Sequence, residues 1–172
     1  MTDQDTTLIE DYEDVSVYVL EDDDEAELLR VQNECTFIWA NKEGWPVGVI
    51  MSYVHRDGSF WLTAVRPRKR IAAIERDPRV AVVVSSTGST VKGSQTVTYK
   101  GICTLHEDEA TKAWFYPALS AALRPDEEGA RQFARFLDSP KRVIMQVVPE
   151  QRIGFDGRKM GAATARAIAR QG

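Results

Sequence analysis

Residues Gly58–Val84 read GSFWLTAVRPRKRIAAIERDPRVAVVV. Ser59–Val65 is aromatic and β-branched and follows the turn residues Arg56-Asp57-Gly58, which predicts a strand. Arg68–Arg76 sets Ile71, Ala72 and Ile74 on about one helical face. That helix has to stop by Asp77, because Pro78 disfavours a helical residue before it. Val80–Val84 is a continuous apolar run, as expected of a strand buried on both sides.

Between the first strand and the helix, Arg66, Arg68, Lys69 and Arg70 gather in a basic elbow. The start of a helix carries free N–H groups and a partial positive charge, so a cation there is unfavourable by about 0.3–1 kcal/mol. Four cations at that end suit an anion seated among them, and phosphate is the usual occupant. The other reading is a solvated basic loop whose arginines reach into water or pair with Glu75 or Asp77.

Upstream of the elbow, Asp22–Asp24 cap and charge a helix predicted over Glu25–Asn33, with Ala26, Leu29 and Val31 inward. A strand Cys35–Ala40, the turn Asn41-Lys42-Glu43-Gly44 and a second strand Trp45–His55 form a hairpin. Downstream, the loop Ser85–Ser94 is rich in Gly, Ser and Thr. Gln95–Leu105 predicts a fifth strand, with Val97, Tyr99 and Cys103 on one face and Thr96, Thr98 and Lys100 on the other. Gly101 inside it suggests a bulge or a close backbone approach. Glu107–Leu123 reads as a helix kinked or divided at Pro117, and Asp126–Leu137 as a helix with the stripe Ala130, Phe133, Ala134 and Leu137. Arg142–Val148 predicts a sixth strand closed by Pro149, Arg152–Phe155 a short edge strand, and Gly161–Arg170 a terminal helix. The expectation is a mainly β fold with flanking helices: a six- or seven-stranded antiparallel split β-barrel in one domain.

Charge divides the chain. Residues 1–29 hold twelve of the 26 acids and neither Lys nor Arg, so residues 30–172 carry 14 acids against 22 bases, a balance of +8. Residues 1–20 read as an acidic, disordered arm ahead of a domain over residues 21–172. The acidic start lacks the basic n-region of a signal peptide, and no apolar run approaches the ~20 residues of a membrane span, so the cytoplasm is expected. Cys35 and Cys103 have no metal-ligand spacing and read as buried small hydrophobes.

The run Gly58-x-Phe60-x-Leu62-Thr63, then Arg68-Lys69, then Ile74-Glu75-Arg76-Asp77-Pro78-Arg79-Val80 resembles the pyridoxamine-phosphate-oxidase-like, FMN-binding split-barrel superfamily. Within it the chain is most similar to the flavin/deazaflavin oxidoreductases, strongly over Thr36–Leu105 and loosely beyond. The resemblance implies a homodimer with FMN or the deazaflavin F-420 in a groove between subunits. It implies that Arg68 and Lys69 hold the cofactor phosphate and that Val49, Ile50, Met51 and Ser52 lie along the ring. Thr63 and Ala64 would sit near the ring and ribityl chain, and the extra cations Arg66 and Arg70 would serve an anionic tail. The cofactor then carries the hydride chemistry to or from a small unsaturated or quinone-like substrate, and no protein nucleophile or metal set is needed. Water, Ser52, Tyr53 or a residue of the second subunit is the proton donor; the choice stays open.

Departures from the family pattern matter too. Val47-Gly48 stands where pyridoxamine-phosphate oxidases open the strand with arginine, and Gly154–Met160 has no histidine, so pyridoxamine phosphate is a poor substrate. Some relatives bind haem, which would call on His55 or His106; a strand-end histidine is more often a surface residue with one hydrogen bond. Of Trp39, Trp45, Trp61 and Trp114, one or two would approach the ring, and Trp114-Phe115-Tyr116-Pro117 would reach across a dimer. Lys92 and Lys100 are outlying cations. Three classes stay open: a redox enzyme, a carrier or sensor of flavin, deazaflavin or haem without turnover, and a nucleic-acid module. The last is weakest, because the cations sit on one elbow and no nucleic-acid motif accompanies them.

Overall fold

Alternation along the strands dictates a single curled sheet. The computed structural model describes residues 14–171. Its strands are β1 (Glu34–Ala40), β2 (Pro46–Ser52), β3 (Val54–Arg56), β4 (Ser59–Val65), β5 (Arg79–Ser85), β6 (Gln95–His106) and β7 (Arg142–Asp156). They form a seven-stranded antiparallel sheet in the order β2-β1-β5-β6-β7-β4-β3. The helices are α1 (Asp22–Val31), α2 (Lys69–Arg76), α3 (Glu109–Leu123), α4 (Glu127–Leu137) and α5 (Gly157–Gln171). Among the described residues no helix is long and apolar enough to cross a membrane.

Inside the curl lie Phe37, Phe60, Leu62, Val82, Val84, Val97, Met145 and Val147, all fully buried. Cys35 and Cys103 join them, and burial pushes both thiols up to about 12, which keeps them neutral and inert. Leu20, Leu28 of α1 and Ile71 and Ile74 of α2 belong to the same core. Fully burying one such side chain stabilises by about 1.5–3 kcal/mol.

Two strands differ from expectation. The second strand breaks at Tyr53, so β2 pairs with β1 while β3 pairs with β4 through the hairpin turn at Asp57 (φ 52°) and Gly58 (φ 70°). Positive φ at both central residues is the turn whose twist matches a tight hairpin. The last strand does not end at Pro149: β7 runs on to Asp156, and its far end, beyond the pairing with β4, is an edge stretch paired with β6 alone, as expected for Arg152–Phe155. Proline breaks a ladder because it lacks an N–H, unless a bulge takes it out of register. Here the register slips between Lys100 and Gly101, opposite Pro149. The slip needs Gly101, since a Cβ there would stand 2.3 Å from the carbonyl oxygen of Val148.

The two outer faces of the sheet fare differently. Helices α3 and α4 cover β4 and β7, packing Phe115, Tyr116, Leu119 and Leu137 onto Ile144 and Trp61. Helix α3 is one helix with Pro117 inside it, not two pieces. Over β2, β1, β5, β6 and the end of β7 the register aligns Ile50, Thr36, Val83, Thr98 and Ile153 in one row. A second row is Gly48, Ile38, Ala81, Lys100 and Gln151. Nothing in the described chain seals this face: Ile50 is 65% and Ile153 54% exposed. Strand β5, whose sequence reads as buried on both sides, buries Val80, Val82 and Val84 inward and leaves Ala81 and Val83 half-buried.

Of the acidic arm, residues 1–13 lie outside the described residues. Beyond them Tyr18 and Leu20 are buried, and the Tyr18 carbonyl accepts from the Asp156 amide at 2.7 Å. A charge clasp then ties α1 to the chain's end. Glu25 joins the Tyr99 hydroxyl and Arg152, Glu21 joins Lys159, and Arg158 bridges Asp24 (2.6 Å) and buried Asp156 (2.7 Å).

Gly101→Ala should destabilise the protein by about 1–3 kcal/mol, the cost of forcing a methyl into filled space, measured by denaturant unfolding. The hydrogen bond from Arg158 holds the Asp156 carboxyl below the ordinary carboxylate range. A depressed folded pKa contributes stability that is complete above the unfolded value of about 3.9 and drains away as pH falls through the folded one. Asp156→Asn should therefore cost about 1–3 kcal/mol at neutral pH and flatten the loss of stability below about pH 4; an unchanged acid limb would contradict this.

Candidate functional site

Because β2 pairs only with β1 and β3 pairs only with β4, the barrel stays open beyond the Tyr53 corner. One side of the opening is the free edge of β2 from Pro46 to Ser52, and the other is β4 from Leu62 to Val65, past its pairing with β3. The elbow follows directly from that second edge. Val49 to Ser52, Thr63, Ala64, Arg66, Arg68, Lys69 and Arg70 are thus placed along two edges of one split and on the turn that follows.

Side chains on these edges divide by alternation. Val49 and Met51 pack against the barrel core and Ala64 is buried in it, so at these positions the main chain faces the split. Ile50 points out, and Ser52 is half-buried. Thr63 donates its hydroxyl to the Val143 carbonyl at 2.8 Å. A hydroxyl has one donor and two acceptor sites, so toward a ligand Thr63 can only accept. Tyr53 is 2% exposed and packs on Phe60, and its hydroxyl has no hydrogen-bond partner. Burial pushes its phenol up, and it lies out of reach of a substrate as proton donor.

At the elbow the cations separate into two kinds. Arg66 is committed: it bonds Glu75 at 2.9 Å and also pairs with Glu107. Arg68, the N-cap of α2, and Lys69 are exposed and form no ion pair among the described residues. Arg70 lies over the Trp39 ring at 5.6 Å, with Nε and Nη1 buried and unpartnered. Desolvation first, then Arg68, lowers its pKa. Buried donors without an acceptor are unfavourable by about 1–3 kcal/mol, so these two nitrogens of half-buried Arg70 fit an anion. Beside it a cavity of about 390 Å³ is lined by Trp39, Asn41, Lys69, Arg76 and the Lys42–Glu43 pair.

Other candidates fall elsewhere. His55 lies against Phe60 with the rings tilted at 46° and lines a cleft with residues of α1. Half-buried His106 holds Gln146 through Nε2 at 2.9 Å and lies against Trp61, which in turn meets Trp114 edge-on. Trp45 is 70% exposed at the start of β2, Lys100 stands on the uncovered sheet face, and Lys92 is exposed in the loop before β6. Sequence reading offered Glu75 or Asp77 as partners of the elbow arginines: Glu75 does take Arg66, Asp77 takes Arg79 instead, and Glu107 was missed.

A family model described as pyridoxamine 5'-phosphate oxidase matches residues 22–153. Comparison with curated proteins found no match. Among solved structures, the conserved hypothetical protein Rv2991 from Mycobacterium tuberculosis is similar, with 21% identity and a TM-score of 0.72 over 84% of this chain and 89% of that one. The heme storage protein HutZ from Vibrio cholerae has 12% identity and a TM-score of 0.59, over 79% of this chain and 94% of that one. An F-420 reductase has 19% identity and a TM-score of 0.55, over 74% of this chain and 94% of that one. At such identities the structural likeness carries the fold alone, and the family rests on the match across 22–153. By that match the chain is a member of the pyridoxamine 5'-phosphate oxidase family.

Proposed function

We propose that the protein binds a flavin-type cofactor, F-420 or FMN, in the split where a second copy of the chain covers it, and is an oxidoreductase acting on a small unsaturated or quinone-like molecule. The observation that carries this reading is the elbow: Arg68 and Lys69 without carboxylate partners beside an Arg70 guanidinium with buried, unpartnered nitrogens. When bound, a flavin or deazaflavin supplies the hydride chemistry itself. Arg68 and Lys69 would hold its phosphate, and Arg70, which lies over the Trp39 ring, would add charge. The main chain of Val49–Ser52 and of Thr63–Ala64 would border the ring, and the Thr63 hydroxyl, its proton given to the Val143 carbonyl, would be left to accept. With Tyr53 sealed in the core, the Ser52 hydroxyl, water or a residue of the second subunit would move the proton.

The homodimer is supported by the uncovered face: in the two rows five strands present Thr, Gly, Ala, Val, Ile and Gln151, with Lys100 as the only charge. An apolar surface of that kind favours association. The carrier reading differs only in turnover. The haem reading has less support, since Nε2 of His106 is taken by Gln146 and His55 lies against α1, away from the split.

Purified protein titrated with FMN and with F-420 should bind one of them; uptake of neither ends the cofactor reading. Reduced cofactor mixed with quinones and enones then separates enzyme from carrier, because a carrier would bind tightly and oxidise with none. Lys69→Ala should weaken cofactor binding by about 1–3 kcal/mol, the scale of a lost charge-assisted bond, with the melting temperature of the empty protein nearly unchanged. Val83→Lys, at the centre of the uncovered face, should give a monomer in sedimentation; a Val83→Lys dimer would place the interface elsewhere.

A further inference from the structure

Arg66 stands where β4 leaves the sheet. Its amide donates to the Lys141 carbonyl at 2.7 Å, and the Arg68 amide closes the turn onto the Val65 carbonyl at 3.0 Å. The main chain therefore holds the elbow's shape without help from the Arg66 side chain. That side chain does something else: Nη1 takes Glu75 of α2 and Nη2 takes Glu107, just after β6. All three side chains are about half exposed, so the pairs add little to stability. Their effect on the local field is larger. Glu75 lies six residues along α2 from Lys69, about 9 Å at 1.5 Å per residue, which is within the ~10 Å screening length at 0.1 M salt. Left unpaired, each carboxylate would repel a phosphate at the elbow and compete with it for Arg68 and Lys69.

We propose that Arg66 is a positioning residue that never touches the phosphate: by occupying Glu75 and Glu107 it leaves Arg68, Lys69 and Arg70 free for the anion. The proposal rests on the reading of the elbow as a phosphate site. It assigns opposite duties to neighbouring cations, Arg66 to the protein's own acids and Arg68 and Lys69 to the ligand.

A compensation experiment tests it with wild type, Arg66→Gln, Glu75→Gln with Glu107→Gln, and the triple variant. Each is titrated with FMN, with F-420 and with inorganic phosphate, the last followed by NMR at the Arg68 and Lys69 amides. Arg66→Gln should weaken every anion about tenfold at low salt, about threefold for each freed carboxylate, and the loss should shrink at ~1 M salt. The triple variant should return to within about threefold of wild type, because the acids that Arg66 answered are gone. Arg66→Lys should rescue in part. A triple variant as weak as Arg66→Gln would make Arg66 a direct ligand and overturn the proposal, as would an Arg66→Gln protein of undiminished affinity or the absence of any phosphate response at those amides. Loss of FMN and F-420 binding in wild type, with the phosphate order kept, would sink the cofactor reading alone.

Discussion

Every strand in a sheet has two rows of main-chain groups to satisfy, and a barrel does so by closing on itself. This chain cannot close. At Tyr53 the strand that should pair with both neighbours turns away, so its first part, β2, serves β1 and its second part, β3, serves β4. The Tyr53 side chain holds the corner by packing into the core against Phe60, and its amide extends the β1–β2 ladder to the Asn33 carbonyl at 3.0 Å. What remains is a split bordered by donors and acceptors that no other strand takes up. The interior core stays complete because Val49, Met51 and Ala64 still point inward. A strand edge of this kind can bind a flat ligand through its main chain while its side chains go on holding the barrel.

Charge is distributed with the same division of labour. The acids concentrated before residue 30 are not idle: Glu21, Asp24 and Glu25 meet Lys159, Arg158, Arg152 and the Tyr99 hydroxyl, so much of the basic excess at the C-terminal end is neutralised within the fold. Arg66 is neutralised at the elbow in the same way, and Arg79 by Asp77 at 2.7 Å. Arg68, Lys69 and Arg70 are the elbow cations left without a carboxylate among the described residues. A net charge spread over the whole body says little about ligands. Cations left without a carboxylate say more where they cluster: others, such as Lys92, Lys100 and Arg124, are scattered, but Arg68, Lys69 and Arg70 stand together at the end of the split.

How much of this could be read from sequence depended on how local the cause was. The segment from Ser59 to Val84 was legible because turn, alternation and Pro78 all act within a few residues, and β4, α2 and β5 agree with it to within one residue at their ends, although the buried stripe of α2 takes Ala73 and leaves Ala72 exposed. The inward face of β6 and the bulge at Gly101 were legible for the same reason. Strand β7 was not, because Pro149 reads as a stop unless one knows that a glycine from a strand some fifty residues earlier faces it and lets the register slip. The break at Tyr53 was hidden too: Trp45–His55 is uniformly strand-like, and the corner arises from pairing with two different strands. At the site, the elbow's cations were visible as a cluster, but their sorting into paired and unpaired depends on Glu107, which arrives from beyond β6.

The apolar run Val80–Val84 marks where local reading and the single chain part company. Its pattern calls for burial on both sides, yet within one protomer only Val80, Val82 and Val84 reach the core. The same excess is present across the strands beside it, in Ile38, Ile50 and Ile153, so it is a property of the face and not of one strand. Helices α3 and α4 show that this chain covers an outer sheet face when it needs to, since over β4 and β7 they bury Ile144 completely. The uncovered face is continuous with the outward side of β2, whose free edge borders the split. A second copy seated there would satisfy the apolar face and shelter the split together, which is why one surface can serve both association and ligand binding.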